Sequence, residues 1–238
     1  MTTMTSLLQV TYNARGLGGF PTRDGGSVAP GVLFRADALS GLTDVGLRAL
    51  GDHGIGTIVD LRTDAERARA ADVLPADGSV QLMPLPVLGG AMDEMIKQLL
   101  PAGDSAAGAA LTEDEVRSVM DEIPTLEELY VTILSSSAAQ FAELARAVVA
   151  ASNTERPGVL FHCTAGKDRT GIAAALLLLT ADVPREVIVD DYTQTGKNLA
   201  GEFADSLLGL ITQFGVPITP RLKTLATESP ASAAWSSE

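Results

Sequence analysis

The 238-residue chain has one cysteine, two histidines and one tryptophan, and only 4% of it is aromatic. A single cysteine, Cys163, excludes an intramolecular disulfide and any metal site built from several thiolates. Two histidines, His53 and His162, are too few for a histidine-rich metal centre. Basic residues are scarce as well: 17 Lys and Arg stand against 30 Asp and Glu, for a formal charge of −13. Such a field repels polyanions, which argues against a nucleic-acid binder or a general binder of anionic membranes. A local basic pocket holding one phosphate is still compatible with it. No run approaches the ~18 apolar residues of a spanning helix. The longest, Gly171 to Leu179, is too short. The opening MTTMTSLLQVTYNARG lacks a basic segment followed by an apolar one, so no conventional signal peptide is expected. The expected location is the cytoplasm, with export lacking a cleavable signal as the other route.

What is present is ordinary for a soluble globular protein, at 46% hydrophobic and 20% charged residues. Strand patterns fall at VLFRA (32–36), TIVDLR (57–62), SVQLMPL (79–85) and GVLFHC (158–163). Helical patterns fall between and after them. One is capped by Thr43, one lies in TDAERARAADVL, and a long one over 125–151 is interrupted near the serines at 135–137. Others are expected over 170–181, 184–192 and 197–214. Strands alternating with helices imply crossover connections, so an α/β fold with a mainly parallel central sheet flanked by helices is expected. The texture changes between 89 and 123, where Met, Ala and Gly mix with acids, and this reads as a helical, lid-like insertion or a plain helical decoration. A single domain over 1–226 and a frayed tail over 227–238 complete the expected organisation.

The chemistry concentrates in GVLFHCTAGKDRTG (158–171). In a parallel sheet, ligands bind beyond the carboxyl ends of the strands, where a loop meets a helix N-terminus, and Cys163 falls there. The N–H groups of Thr164, Ala165, Gly166, Lys167 and Asp168 can wrap a tetrahedral oxyanion, aided by the helix dipole. Arg169 adds a planar fork for two phosphate oxygens. Cysteines in such fields ionise readily. Cys163 is therefore the expected nucleophile, attacking a phosphorus atom that the loop and Arg169 hold, and forming a cysteinyl-phosphate that water cleaves. An inert core cysteine leaves Gly166, Lys167 and Arg169 unexplained. A nucleotide-binding P-loop requires Ser or Thr directly after Gly-Lys, where this chain has Asp168.

HCTAGKDRTG resembles the His-Cys-x5-Arg-[Ser/Thr] signature of the protein tyrosine phosphatase superfamily. Its Ala-Gly-Lys-Asp-Arg-Thr-Gly form is similar to a bacterial family of tyrosine phosphatases that also accept phosphoinositides, the mycobacterial protein tyrosine phosphatase B-like group. NARGLGGFPT (13–22), VLFRADALSGLTDVGLRAL, GIGTIVDLRTDAER and DDYTQTGKNL resemble further blocks of that family, which together cover about residues 10–200. One departure is Gly16, where the family's opening has Asp. The resemblance implies a protein tyrosine phosphatase-like fold and phosphotyrosine hydrolysis, with possible substrates among phosphoinositides and phosphoserine or phosphothreonine.

The resemblance also implies that the acid protonating the leaving group is the aspartate inside the loop, Asp168, since the one tryptophan, Trp235, is not followed by Pro-Asp. Asp60, with Arg62, ends a strand at the same sheet edge and is the rival; a local ion pair is its other reading. Lys167 accompanies tolerance for highly charged substrates in related phosphatases. Thr170 is placed to assist departure of the thiolate or to cap the helix, and His162 to brace the loop from behind. The expected partner is a phosphotyrosine protein or a phosphoinositide, as substrate. No nucleic acid, stable membrane anchor, cofactor or metal is expected, and the expected state is a monomer. The competing readings are a catalytically inactive phosphate-binding module and a sulfurtransferase-like enzyme.

Overall fold

The computed structural model describes residues 7–87, 125–213 and 218. The lid-like insertion expected over 89–123 and the tail over 227–238 lie outside these residues. Five strands form one sheet: β1 (Arg15–Gly16), β2 (Leu33–Ala36), β3 (Ile55–Asp60), β4 (Gln81–Pro84) and β5 (Gly158–His162). Their order is β1-β2-β5-β3-β4, with only the β1–β2 pair antiparallel. The helices are α1 (Asp44–Asp52), α2 (Asp64–Arg69), α3 (Leu126–Ser136), α4 (Ala138–Ala151), α5 (Asp168–Thr180), α6 (Arg185–Leu199) and α7 (Glu202–Gln213). The mainly parallel sheet flanked by helices agrees with the sequence patterns.

Strand β5 lies at the centre, and all five of its residues are buried. Its alternation divides the core in two. Val159, Phe161 and Cys163 join Leu33 and Val59 under residues of α3, α4 and α5. Leu160 faces the other way, with Phe34, Ile58 and Leu50 of α1. Each fully buried aliphatic side chain contributes roughly 1.5–3 kcal/mol, so the sheet centre forms a firm platform. The strand register sets what stands on it. Ala36 pairs with His162, and His162 with Asp60, so β2, β5 and β3 end at one level. The loops that follow them therefore emerge side by side, with the cysteine loop in the middle.

The helices follow their caps. Thr43 caps α1, and Thr63 and Thr125 form reciprocal capping boxes with Glu66 and Glu128. The pattern over 125–151 breaks at Ser137, which closes α3 and opens α4. Two helical expectations are corrected. The helix expected to stop at 192 runs on to Leu199, because Asp191 and Thr195 face inward on successive turns and are held by arginines there. The next helix starts at Glu202, after Gly201 takes a positive φ of 85°. Thr170, offered as a helix cap, instead lies within α5, whose cap is Lys167. Among the described residues, no helix is long and apolar enough to cross a membrane.

Candidate active site

Cys163 is a free, buried thiol directly after β5. The loop beyond it is tied to the neighbouring strand ends by its carbonyl groups. Thr164 O accepts from Ala38 N at 3.0 Å, while Gly166 O accepts from Asn13 Nδ2 and Arg35 Nη2, both at 2.8 Å. In a trans peptide the N–H points opposite to the carbonyl. The N–H groups of Ala165 and Lys167 therefore point away from this scaffold. Gly166 has a φ of 65°, and a Cβ there would lie 2.5 Å from Ala36 O. Only glycine lets the loop approach β2 this closely. At Lys167 the loop passes into the N-terminus of α5, and the Lys167 side chain makes no capping bond to the helix.

Beneath the loop lies a buried ionic network. Asp191 of α6 takes Arg15 Nε at 2.7 Å and Arg35 Nη1 at 2.6 Å. Thr195 Oγ1 accepts from Arg15 Nη2 at 3.0 Å, and Asn13 Oδ1 from Arg15 Nη1. Burial alone would raise the Asp191 carboxyl, but the two guanidiniums hold it below its ordinary value. Burial and the neighbouring Arg35 lower Arg15 to about 10. Asp37 receives the amides of Tyr12 and Asn13, and burial still pushes its carboxyl up. The network joins the first described segment, β2, the cysteine loop and α6.

Arg169, the expected phosphate clamp, is 3% exposed. Its fork engages Glu66 of α2, with Nη1–Oε2 at 2.7 Å and Nη2–Oε1 at 2.6 Å. Thr164 Oγ1 donates to the same carboxylate. Burial pushes Glu66 up, yet the bonds and charge of Arg169 prevail, together with Thr164 and Thr63, and bring it to about 2. Glu66 thus caps its own helix and fixes the guanidinium plane at once.

Asp168, the first residue of α5, is buried. Its Oδ1 accepts from Tyr130 Oη of α3 at 2.6 Å, and Lys167 Nζ lies 3.8 Å from the same oxygen. Tyr130 Oη also touches Tyr192 Oη of α6. Burial raises the Tyr130 phenol well above its ordinary value, and the Asp168 charge adds to this. Lys167 is only 2% exposed. Thr170 Oγ1 is buried and makes no hydrogen bond among the described residues. That hydroxyl is therefore uncommitted, one residue beyond Arg169.

Asp60, Arg62 and His162 form a separate cluster behind Cys163. Arg62 Nη2 binds both Asp60 Oδ2 and Asp72 Oδ1 at 2.8 Å, and Arg62 Nε also donates to Asp60. His162 Nε2 lies 3.1 Å from Asp72 Oδ2, and Nδ1 lies 3.2 Å from Cys163 O. Burial works against the Asp72 anion, but His162 and Arg62 hold its carboxyl below the ordinary value. Asp60, Asp72 and His162 stand close enough together to hold a cation. The Arg62 guanidinium, bonded to both carboxylates, already supplies positive charge there. Asp60 is fully buried and committed to Arg62, which is the geometry of an ion pair.

The residues singled out in the sequence thus fall into two adjoining groups, with Cys163 through Thr170 in the loop and the first turn of α5, and Asp60, Arg62 and His162 behind Cys163. Sequence reasoning missed Glu66, Asp72, Tyr130 and Asp191 as members of the site. Glu66 carried a signal, the Thr-x-x-Glu capping box, but that pattern speaks only of a helix start. Asn13, Arg15, Asp191 and Tyr192 lay within blocks noticed for their resemblance, with no role read from them.

Comparison with known proteins points the same way. A family model described as "Tyrosine phosphatase family" matches residues 7–220. A tyrosine-protein phosphatase of Nostoc commune is 34% identical over 175 residues, 74% of this chain and 52% of that protein. The triple specificity protein phosphatase PtpB of Mycobacterium tuberculosis is 33% identical over 181 residues, 73% of this chain and 64% of that protein. A putative tyrosine-protein phosphatase of Cupriavidus necator is 29% identical over 229 residues, 92% of this chain and 74% of that protein. The chain thus spans between half and two thirds of the length of the first two relatives.

Proposed function

This chain belongs to the tyrosine phosphatase family, and from that premise we propose that it hydrolyses phosphotyrosine through a cysteinyl-phosphate intermediate. The observation that supports the reading is that Cys163 and the loop amides follow β5 directly, while Asp168 and Arg169 are the first two residues of α5. The substrate's phosphate sits at the N-terminus of α5, where N–H groups and dipole favour an anion. Arg169, held by Glu66 through two bonds, presents its guanidinium in a fixed plane to the phosphate. The Cys163 thiolate attacks phosphorus in line as the P–O bond to the leaving phenolate breaks, and Asp168 gives that oxygen a proton. Water then attacks the phosphorus, Asp168 takes its proton back, and the thiolate leaves with the uncommitted Thr170 hydroxyl as donor. No cofactor or metal enters these steps.

Two observations favour a range wider than phosphotyrosine. One relative is named a triple specificity protein phosphatase. Lys167 also adds a buried cation beside Asp168, suited to phosphoinositides and other highly charged phosphate esters. Steady-state kinetics on phosphotyrosine, phosphoserine and phosphothreonine peptides and on phosphoinositides test both statements. Wild type is expected to release phosphate, with near-total loss in Cys163→Ser. Phosphate binding without release from any ester would instead identify an inactive phosphate-binding module.

A further inference from the structure

The Asp168 carboxyl is engaged on one side. Among the described residues both of its side-chain contacts, the Tyr130 hydroxyl at 2.6 Å and Lys167 Nζ at 3.8 Å, fall on Oδ1. A carboxylate oxygen only accepts, so the single Tyr130 proton goes to Asp168, and the contact between the two phenols is donated by Tyr192. The donor chain therefore runs Tyr192 to Tyr130 to Asp168, across α6, α3 and α5. Its geometry is fixed by packing. The two rings meet edge to face, with centroids 6.5 Å apart and planes at 83°. Gly171 makes room for the second ring, since a Cβ there would lie 2.7 Å from Tyr192 Cε2. Burial keeps the Tyr130 phenol protonated, so it remains a donor throughout turnover.

We propose that Tyr130, oriented by Tyr192, is the positioning residue for the Asp168 acid: its hydroxyl occupies Oδ1, so the transferable proton resides on Oδ2. This rests on the reading of Asp168 as the acid. In the first step the Oδ2–H bond breaks and the proton passes to the leaving phenolate oxygen, while the S–P bond forms and the P–O bond breaks. The electron pair left on the carboxyl is stabilised by the Tyr130 O–H, whose bond strengthens as the acceptor becomes charged. In the second step water returns a proton to the same oxygen. The phenol chain therefore matters in proportion to how much the leaving group needs protonation.

The test compares kcat/KM for a phosphotyrosine peptide and for p-nitrophenyl phosphate, whose leaving group needs little protonation, in Tyr130→Phe, Tyr192→Phe, Asp168→Asn and the Asp168→Asn/Tyr130→Phe double variant. Tyr130→Phe is expected to lose about 10-fold on the peptide and about twofold or less on the nitrophenyl ester. Tyr192→Phe should show a smaller loss of the same pattern. Asp168→Asn should lose more, again selectively, and the double variant little beyond Asp168→Asn. Equal losses on both substrates in Tyr130→Phe and Tyr192→Phe, or no loss on either, overturn the proposal while Asp168→Asn stays selective. A non-selective Asp168→Asn removes the acid reading and this inference with it. Thermal unfolding of each variant separates these outcomes from loss of the fold, and Tyr192→Phe, one step further from the loop, keeps the comparison available if Tyr130→Phe is unstable.

Discussion

Replacing Glu66 by Gln removes a charge from the pair that orients Arg169, the proposed phosphate clamp, and places amide protons against a guanidinium. A carboxyl held at about 2 instead of 4.5 corresponds to at most about 3 kcal/mol, since one pH unit is worth roughly 1.4 kcal/mol. Solvent screening at its exposed edge brings this to about 2 kcal/mol. For a chain of this size that is a fall of roughly 4–8 °C in melting temperature. The sign follows from the direction of the shift. Because the folded value is depressed, the contribution is complete above the ordinary value of 4.5 and is lost as pH falls toward about 2. The gap between wild type and Glu66→Gln should thus be constant from neutral pH to about 5 and close below it. Catalysis should suffer separately, since a guanidinium released from its plane misplaces the phosphate, and kcat/KM should drop about 10–100-fold. Inorganic phosphate, a replacement anion for Arg169, should restore part of the lost melting temperature. A Glu66→Gln protein that melts with wild type at neutral pH and turns over at the wild-type rate would refute this account of the clamp.

Two further substitutions probe the supports of the loop. Gly166→Ala forces a side chain onto a φ of 65° and sets its Cβ 2.5 Å from Ala36 O; about 1–3 kcal/mol of stability and most activity should be lost, and thermal unfolding matching wild type would contradict the close approach. Asp60→Asn removes a buried partner of Arg62 and should lower stability and reduce turnover of phosphotyrosine and p-nitrophenyl phosphate alike, whereas a loss confined to phosphotyrosine would make Asp60 the acid instead of Asp168.

The fold was largely legible because its signals are local. Apolar strand runs, the Thr43 cap and the serine break near 135–137 are each readable within a few residues. The cysteine loop could be picked out for the same reason, as cysteine, glycine and arginine fall within seven residues. What escaped was pairing across long separations. Glu66 and Arg169 are 103 positions apart, Arg15 and Asp191 176 apart, and Tyr130 and Tyr192 62 apart. Nothing local distinguishes Glu66 from any other glutamate at a helix start. The end of α6 was misread for a related reason. Asp191 and Thr195 look polar and therefore exposed, but they face inward because Arg15 and Arg35 meet them there. Asp168 was preferred to Asp60 only through the resemblance, because its partner Tyr130 lies 38 positions away and no local pattern announces it.

The central claim is that Cys163 carries the phosphoryl group during turnover. Enzyme mixed with a phosphotyrosine peptide, quenched within the first turnover and measured as intact protein and as peptides, tests it most directly. The account predicts a mass gain of one phosphoryl group located on Cys163, absent from Cys163→Ser. Turnover by Cys163→Ser at the wild-type rate, with no phosphoryl adduct on the wild-type cysteine, would contradict it.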